Sequence, residues 1–196
     1  MNRTIEDVWQ WFLSNHEALM DIDSLDDAAA EELLLKFDDI LKSYSEGIDF
    51  EIGDLTPHGR TLLLTTNGND EYFEDVFALF EAFPSLDFWE IVPLKQPSAM
   101  ENPLIRYEKY CYKASDVWFL PMESTDETEE RLGLRIGISD YEPENETQLI
   151  AIYLLLEAIL GEYQCGTLIG YWEACPLPND PSSEGFIPLK DLKLFV

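Results

Sequence analysis

From Asn145 to Leu160 the chain reads NETQLIAIYLLLEAIL, a helix-length segment with apolar residues on nearly every side. A helix of this composition has little face to give to water, so other elements must cover it on more than one side. Its apolar run, Leu149 to Gly161, is too short to cross a bilayer. A central position in a globular core follows. The cover is available: 46% of the 196 residues are hydrophobic and 13% aromatic, which supports a sizeable core and argues against disorder.

The remaining elements follow from periodicity and punctuation. Thr4 and Asp7 resemble a capping box, and Ile5, Val8, Trp9, Phe12, His16 and Leu19 then share a helical face over residues 4–20. A second helix starts between Ser24 and Asp27 and runs to Tyr44 on a stripe that includes Leu33, Leu34, Phe37, Ile40 and Leu41. After Gly47 the period changes to two. Ile48, Phe50 and Ile52 alternate with polar residues or glycine, and TPHGR leads into the run 61–66, which reads as a hairpin. Asn69 or Asp70 is placed to cap a helix carrying Phe73, Val76, Phe77 and Phe80, closed by Pro84 and followed by a strand over 88–94.

The second half repeats this order, with strands at 116–123 and 132–139 around the acidic loop STDETEER, a helix at 145–160 and a strand at 167–175. Between the halves, LIRYEKYCYK switches its aromatic phase, as a small hairpin turning at Glu108-Lys109 would. The expected fold class is α+β: a mostly antiparallel sheet built from two ββαβ units with helices packed on it, plus an N-terminal helical pair. As one domain, 1–196, it divides into the helical pair (1–46), the first ββαβ unit (47–95), a connecting hairpin (96–115), the second ββαβ unit (116–178) and a C-terminal tail (179–196).

Forty Asp and Glu against twelve Lys and Arg leave a formal charge of −28. Such a surface repels nucleic-acid phosphates and anionic headgroups, so neither direct nucleic-acid binding nor a membrane role is expected, whereas a basic protein would be attracted. The start MNRTIEDVWQWF lacks the apolar core and cleavage site of a signal peptide, and a cytoplasmic setting is expected. Cys111, Cys165 and Cys175 are an odd number at spacings unlike a metal knuckle, which suits reduced core thiols.

Catalytic signatures are sparse. His16 lies on the apolar face of the first helix and His58 in a loop, without a nucleophile elbow or a catalytic-cysteine pattern. No Walker loop or GxGxxG follows a strand, and no cofactor is indicated. Asp21, Asp23, Asp27 and Glu32 match four ligand positions of an EF-hand loop, but Leu25 occupies another and Asp26 replaces the turn glycine, so no metal is assigned. Glu71, Glu74 and Asp75, and the carboxylates of Glu123 to Glu130, read as solvated faces of an acidic protein. Two apolar residues lie off their helical stripes: Trp11 about 120° from the stripe centre and Leu35 nearly opposite its own. They are explained by packing on two sides or by an interaction face, for which these two residues are the candidates. In ILGEYQCG, Gly161 reads as a left-handed helix cap and Tyr163 as packing back on the helix, a structural turn. Glu162, unfavourable at a helix C-terminus, calls for a backbone amide or an arginine such as Arg106 or Arg135 beside it.

The segments VWQWFLSNHEAL, IDFEIGD with TLLLTTNGN, FEDVFALFEAFPSLDFWEIVPLK, DVWFLP and LLLEAILGEYQCGTLIGYWEACPL occur in an order that resembles a family of uncharacterised bacterial cytosolic α+β proteins, a domain of unknown function with a WxWF-like start and an LGEY motif between helix and strand. Thr66-Asn67-Gly68 and Pro93 depart from the family pattern. The resemblance implies a single α+β unit and assigns no catalytic residue. The expected function is therefore a non-enzymatic acidic interaction module for a basic partner. Alternatives are an immunity- or antitoxin-like inhibitor of a nucleic-acid-acting toxin and a carboxylate- or divalent-metal-dependent enzyme or ligand-binding protein.

Overall fold

The computed structural model describes residues 3–122 and 131–196. The chain divides into two compact units, Met1–Lys95 and Gln96–Val196. Both are α+β, and an N-terminal helical pair opens the first.

In the first unit, helix α1 (Ile5–Met20) begins with the full capping box. The Asp7 N–H donates to Thr4 Oγ1 at 3.2 Å, and the Thr4 N–H donates to the Asp7 carboxylate at 2.9 Å. Helix α2 (Asp27–Tyr44) starts under Asp26, whose carboxylate accepts from the Ala29 N–H at 2.9 Å. Strands β1 (Asp49–Ile52) and β2 (Arg60–Thr65) pair antiparallel. Helix α3 (Phe73–Glu81) then carries the chain over, and β3 (Trp89–Pro93) returns parallel to β2. A parallel pair needs such a crossover because the chain must travel back the length of the strand. Asn69 caps the single 3-10 turn Asp70–Tyr72 that precedes α3.

The core of this unit is aromatic. Phe12 is fully buried and meets Trp89 edge-on at 5.0 Å between centroids and Trp9 at 5.8 Å, while the Trp9 indole N–H donates to the Leu79 carbonyl at 3.1 Å. Edge-to-face contacts set the positive ring edge against the negative face, and a buried indole N–H without an acceptor would be costly. Trp11 stacks on Phe37 at 5.2 Å and 9°. That stack joins α1 to α2, so Trp11 belongs to helix packing, while Leu35 remains 57% exposed.

The second unit opens with the hairpin β4 (Leu104–Tyr107) and β5 (Tyr110–Lys113). It turns through Glu108 at φ +52°, with Tyr107 opposite Tyr110. Strands β6 (Trp118–Met122) and β7 (Leu132–Ile138) pair antiparallel, and β8 (Ile169–Pro176) lies parallel to β7. A short edge strand, β9 (Ile187–Pro188), closes the order β8-β7-β6-β9. The strand-strand-helix-strand order thus occurs in both units. Antiparallel pairings predominate among the described strands, but each sheet that contains a crossover strand is mixed, and the strands form separate sheets.

Helix α4 (Glu146–Leu160) runs under an Asn145 cap and buries Ala151, Ile152, Leu155, Leu156, Ile159 and Leu160. Three local expectations are corrected here. Residues 162–168 form a further helix, α5 (Glu162–Leu168), which leaves α4 at 103°, so the last long strand starts at Ile169 instead of Thr167. Gly161 at the corner has φ +82° and ψ 158°, a positive-φ extended conformation that glycine alone adopts readily, and not the left-handed helical cap expected. Its N–H donates to the Glu157 carbonyl at 2.7 Å and its own carbonyl accepts from the Cys165 N–H at 3.0 Å, so one residue ends α4 and begins α5. The C-terminal stretch, expected as a tail, supplies β9 and a 3-10 segment, Leu189–Leu194, with Leu189 and Leu192 fully buried.

Candidate functional site

A cleft of about 420 Å³ opens in the first unit among three chain segments. The last turns of α1 contribute His16, Glu17 and Met20, and its C-cap adds Asp21. The β1–β2 connection adds Leu55, Thr56, Pro57 and Gly59, and the approach to β3 adds Asp87 and Phe88.

The β1–β2 connection is held by its own hydrogen bonds. Thr56 and Gly59 exchange backbone N–H donors at 3.0 Å each, the Thr56 hydroxyl donates to the Gly59 carbonyl at 2.8 Å, and the His58 N–H donates to that hydroxyl oxygen at 3.2 Å. Gly59 is at φ +106°, and a Cβ there would lie 1.9 Å from the Phe88 carbonyl oxygen, so no side chain fits. The closeness has a purpose in the backbone: the Arg60 N–H donates to that same Phe88 carbonyl at 2.9 Å.

Arg60 unites the walls. Its side chain is 2% exposed, with Nε donating to the Met20 carbonyl and a terminal nitrogen to the Gly53 carbonyl, both at 2.8 Å, while the other terminal nitrogen pairs with the Asp23 carboxylate. A guanidinium is suited to this because its planar fork presents several donors in fixed directions. One residue therefore ties the end of α1, the end of β1 and the turn before β3.

Inside these walls, Met20, Leu55, Pro57 and Phe88 supply apolar surface, and Glu17, Asp21 and Asp87 supply negative charge. Among the described residues no Lys or Arg lines the cleft. Phe88 is 66% exposed and Leu55 is 54% exposed, so their apolar surface faces the opening and contributes little to the core. Phe88 also has φ +66°, a strained conformation for a bulky side chain. An apolar wall with an aromatic face and flanking carboxylates is the chemistry that receives an ammonium or guanidinium on an aliphatic stem.

Of the residues singled out in the sequence, the structure brings His16 and Asp21 into this cleft. Asp23, another of the EF-hand matches, pairs with Arg60, and Asp27 lies in the first turn of α2. Among the described residues no group of three or more His, Cys, Asp or Glu is arranged to hold a metal ion. The carboxylates of Glu123 to Glu130 lie outside the described residues. Trp11 and Leu35 are not brought together: Trp11 stacks on Phe37, and Leu35, two residues before Phe37, points about 160° away on the same helix. Sequence reasoning missed Leu55, Asp87 and Phe88. The available signal was the Thr-Pro-His-Gly turn, whose glycine marks a close backbone approach.

Gly161, Glu162 and Tyr163 belong to the second unit. Glu162 is fully buried and Glu157 nearly so, while Tyr163 keeps 49% of its surface exposed. Arg135, one of the arginines expected beside Glu162, instead donates to Glu173. Burial, reinforced by the charges of Glu157 and Glu162, pushes the Cys165 thiol well above its ordinary range, and burial together with Glu157 does the same to the Tyr153 phenol. A thiol held protonated is a poor nucleophile, so Cys165 is a core residue in chemistry as well as in position. Cys111, by contrast, is exposed, which corrects its expected place in the core.

No single helix among the described residues is long and apolar enough to cross a membrane. Comparison with known proteins gives no family model, curated protein or solved structure that matches the chain.

Proposed function

We propose that the protein is an acidic interaction module that binds a basic protein partner, and that the cleft between the end of α1 and Phe88 is where a cationic side chain of that partner enters. The observation that carries this reading is the lining itself: three carboxylates around an exposed aromatic and aliphatic wall, without a compensating Lys or Arg among the described residues. The −28 charge supports it at longer range, because a field of that sign speeds the approach of a basic surface and repels acidic competitors. Apolar contact then holds the aliphatic stem of a Lys or Arg while the carboxylates and the Phe88 ring face its charge.

A fluorescein-labelled peptide containing one arginine among neutral residues, titrated into the full chain across a salt series, tests the reading. Affinity is expected to fall as salt rises, and to fall by about tenfold at low salt when Glu17→Gln and Asp87→Asn are combined, an effect in the range for loss of close charge pairs. Affinity indifferent both to salt and to these substitutions overturns it.

A further inference from the structure

We infer that the ligand of this site is an extended peptide segment with two basic side chains, one entering the cleft beside Phe88 and the other a second cleft that adjoins it. The inference rests on the reading of the first cleft as a receptor for a cation. The second cleft, of about 500 Å³, has Ile22, Leu34 and Phe50 as apolar lining and Asp27 and Asp54 among its carboxylates. Three chain segments pass directly from one cleft into the other. Met20 and Asp21 line the first while Ile22 and Asp23 line the second; Leu55 lines the first and Asp54 the second; Gly59 lines the first and Arg60 the second. Consecutive residues are only about 3.8 Å apart. Three such crossings mean that the clefts share a wall.

The wall is held by Arg60 through the Met20 and Gly53 carbonyls and the Asp23 carboxylate. Its positive charge is thereby matched by Asp23, which leaves the second cleft with Asp27 and Asp54 carrying no ion pair among the described residues. The chemistry of the first cleft, apolar lining with carboxylates, thus recurs across the shared wall. Each cleft has the volume of a small-ligand pocket, with room for a long side chain and the backbone beside it. An extended segment can lie over the wall and send one side chain to each side. In such a chain residues two apart emerge on the same face about 7 Å from one another, and each further residue adds about 3.4 Å. A segment free of its own fold can choose the spacing that matches the wall, and joining two weak sites on one chain raises affinity by effective concentration without any new contact.

The test uses anisotropy of labelled peptides of equal length with the full chain: one arginine among neutral residues, or two arginines separated by one to four glycines. The best two-arginine peptide is expected to bind at least about tenfold more tightly than the one-arginine peptide. Asp54→Asn is expected to remove most of that gain while leaving the one-arginine peptide unchanged, since a single arginine enters the first cleft, which Asp54 does not line. A gain of no more than about twofold, the statistical effect of two equal groups, overturns the two-cleft inference, and so does a larger gain that Asp54→Asn leaves intact. In either of those cases the reading of the first cleft stands if Asp87→Asn still weakens the one-arginine peptide. Failure of every peptide to bind overturns both.

Discussion

At the scale of single residues, the contrast between Gly59 and Phe88 is the most informative feature of the cleft. Both have positive φ, and the Gly59 backbone approaches the Phe88 carbonyl more closely than any Cβ would allow. For Gly59 the conformation is nearly free. For Phe88 it costs on the order of 1–3 kcal/mol, and the mostly exposed ring recovers little of that by burial. Asparagine tolerates the left-handed region better than phenylalanine. Phe88→Asn is therefore expected to raise stability by up to about 1 kcal/mol in urea unfolding, while weakening the one-arginine peptide several-fold through loss of the aromatic face. A variant that loses stability and keeps its affinity would show that the ring serves the fold instead. In the sequence Phe88 reads as the start of a strand, because no local pattern marks its positive φ, and the Gly59 and Arg60 backbone that meets its carbonyl lies 28 or more residues away. His16 was legible as a residue on an apolar helical face. That this face ends beside a cleft was not.

At the scale of elements, α4 shows how a helix with almost no polar face is still given one orientation. Gln148 in its first turn is fully buried, and every polar atom of its side chain has work to do. Nε2 donates to the Tyr112 hydroxyl at 2.7 Å and to the Asp140 carbonyl at 3.0 Å, while Oε1 accepts from the Glu142 N–H at 2.8 Å. Tyr112 in turn donates to the Asp140 carboxylate at 2.9 Å. The network ties α4 to β5 and to the end of β7, a directional constraint that apolar contact alone does not supply. Gln148→Ala is expected to destabilise the protein by about 2–4 kcal/mol in denaturant unfolding, since it removes three hydrogen bonds and leaves buried partners unsatisfied. A loss below about 0.5 kcal/mol would mean that water replaces the amide without penalty. Elements of this length and period were readable in advance: the hairpin at Glu108-Lys109 follows from the phase change of its tyrosines, and α4 from its long apolar run. Helix α5 was not readable. Its seven residues, EYQCGTL, are too few to display a helical period, and Gly166 and Thr167 are weak helix formers.

At the scale of the whole molecule, few cations are distributed over many carboxylates, and two of their pairs fall in the second unit. Lys109 donates to Glu142 at 2.9 Å and Arg135 to Glu173 at 2.5 Å, and these hydrogen bonds hold both carboxyls below the ordinary glutamate range. With the folded values depressed, the unfolded chain takes up these protons first as pH falls. The stabilising contribution is thus present above the ordinary glutamate range and is lost as pH drops through the lowered values. Combining Glu142→Gln with Glu173→Gln is expected to lower Tm at pH 7 and to make the decline of Tm between about pH 5 and pH 3 shallower than in the parent chain. Parallel declines would show that these exposed pairs are screened to insignificance. Sequence by itself determined the α+β class, the helical pair, the repeated order of strands and helix, and the sign of the surface, because these depend on side-chain period, caps within four residues and the sum of charges. Only the tertiary structure decided the separate sheets, the use of the last residues as an edge strand, the 103° corner at Gly161 and the cleft. The physical reason is distance along the chain: residues 16–21, 55–59 and 87–88 meet through the pairing of β1, β2 and β3 and the reach of one buried arginine, and no local pattern contains that register.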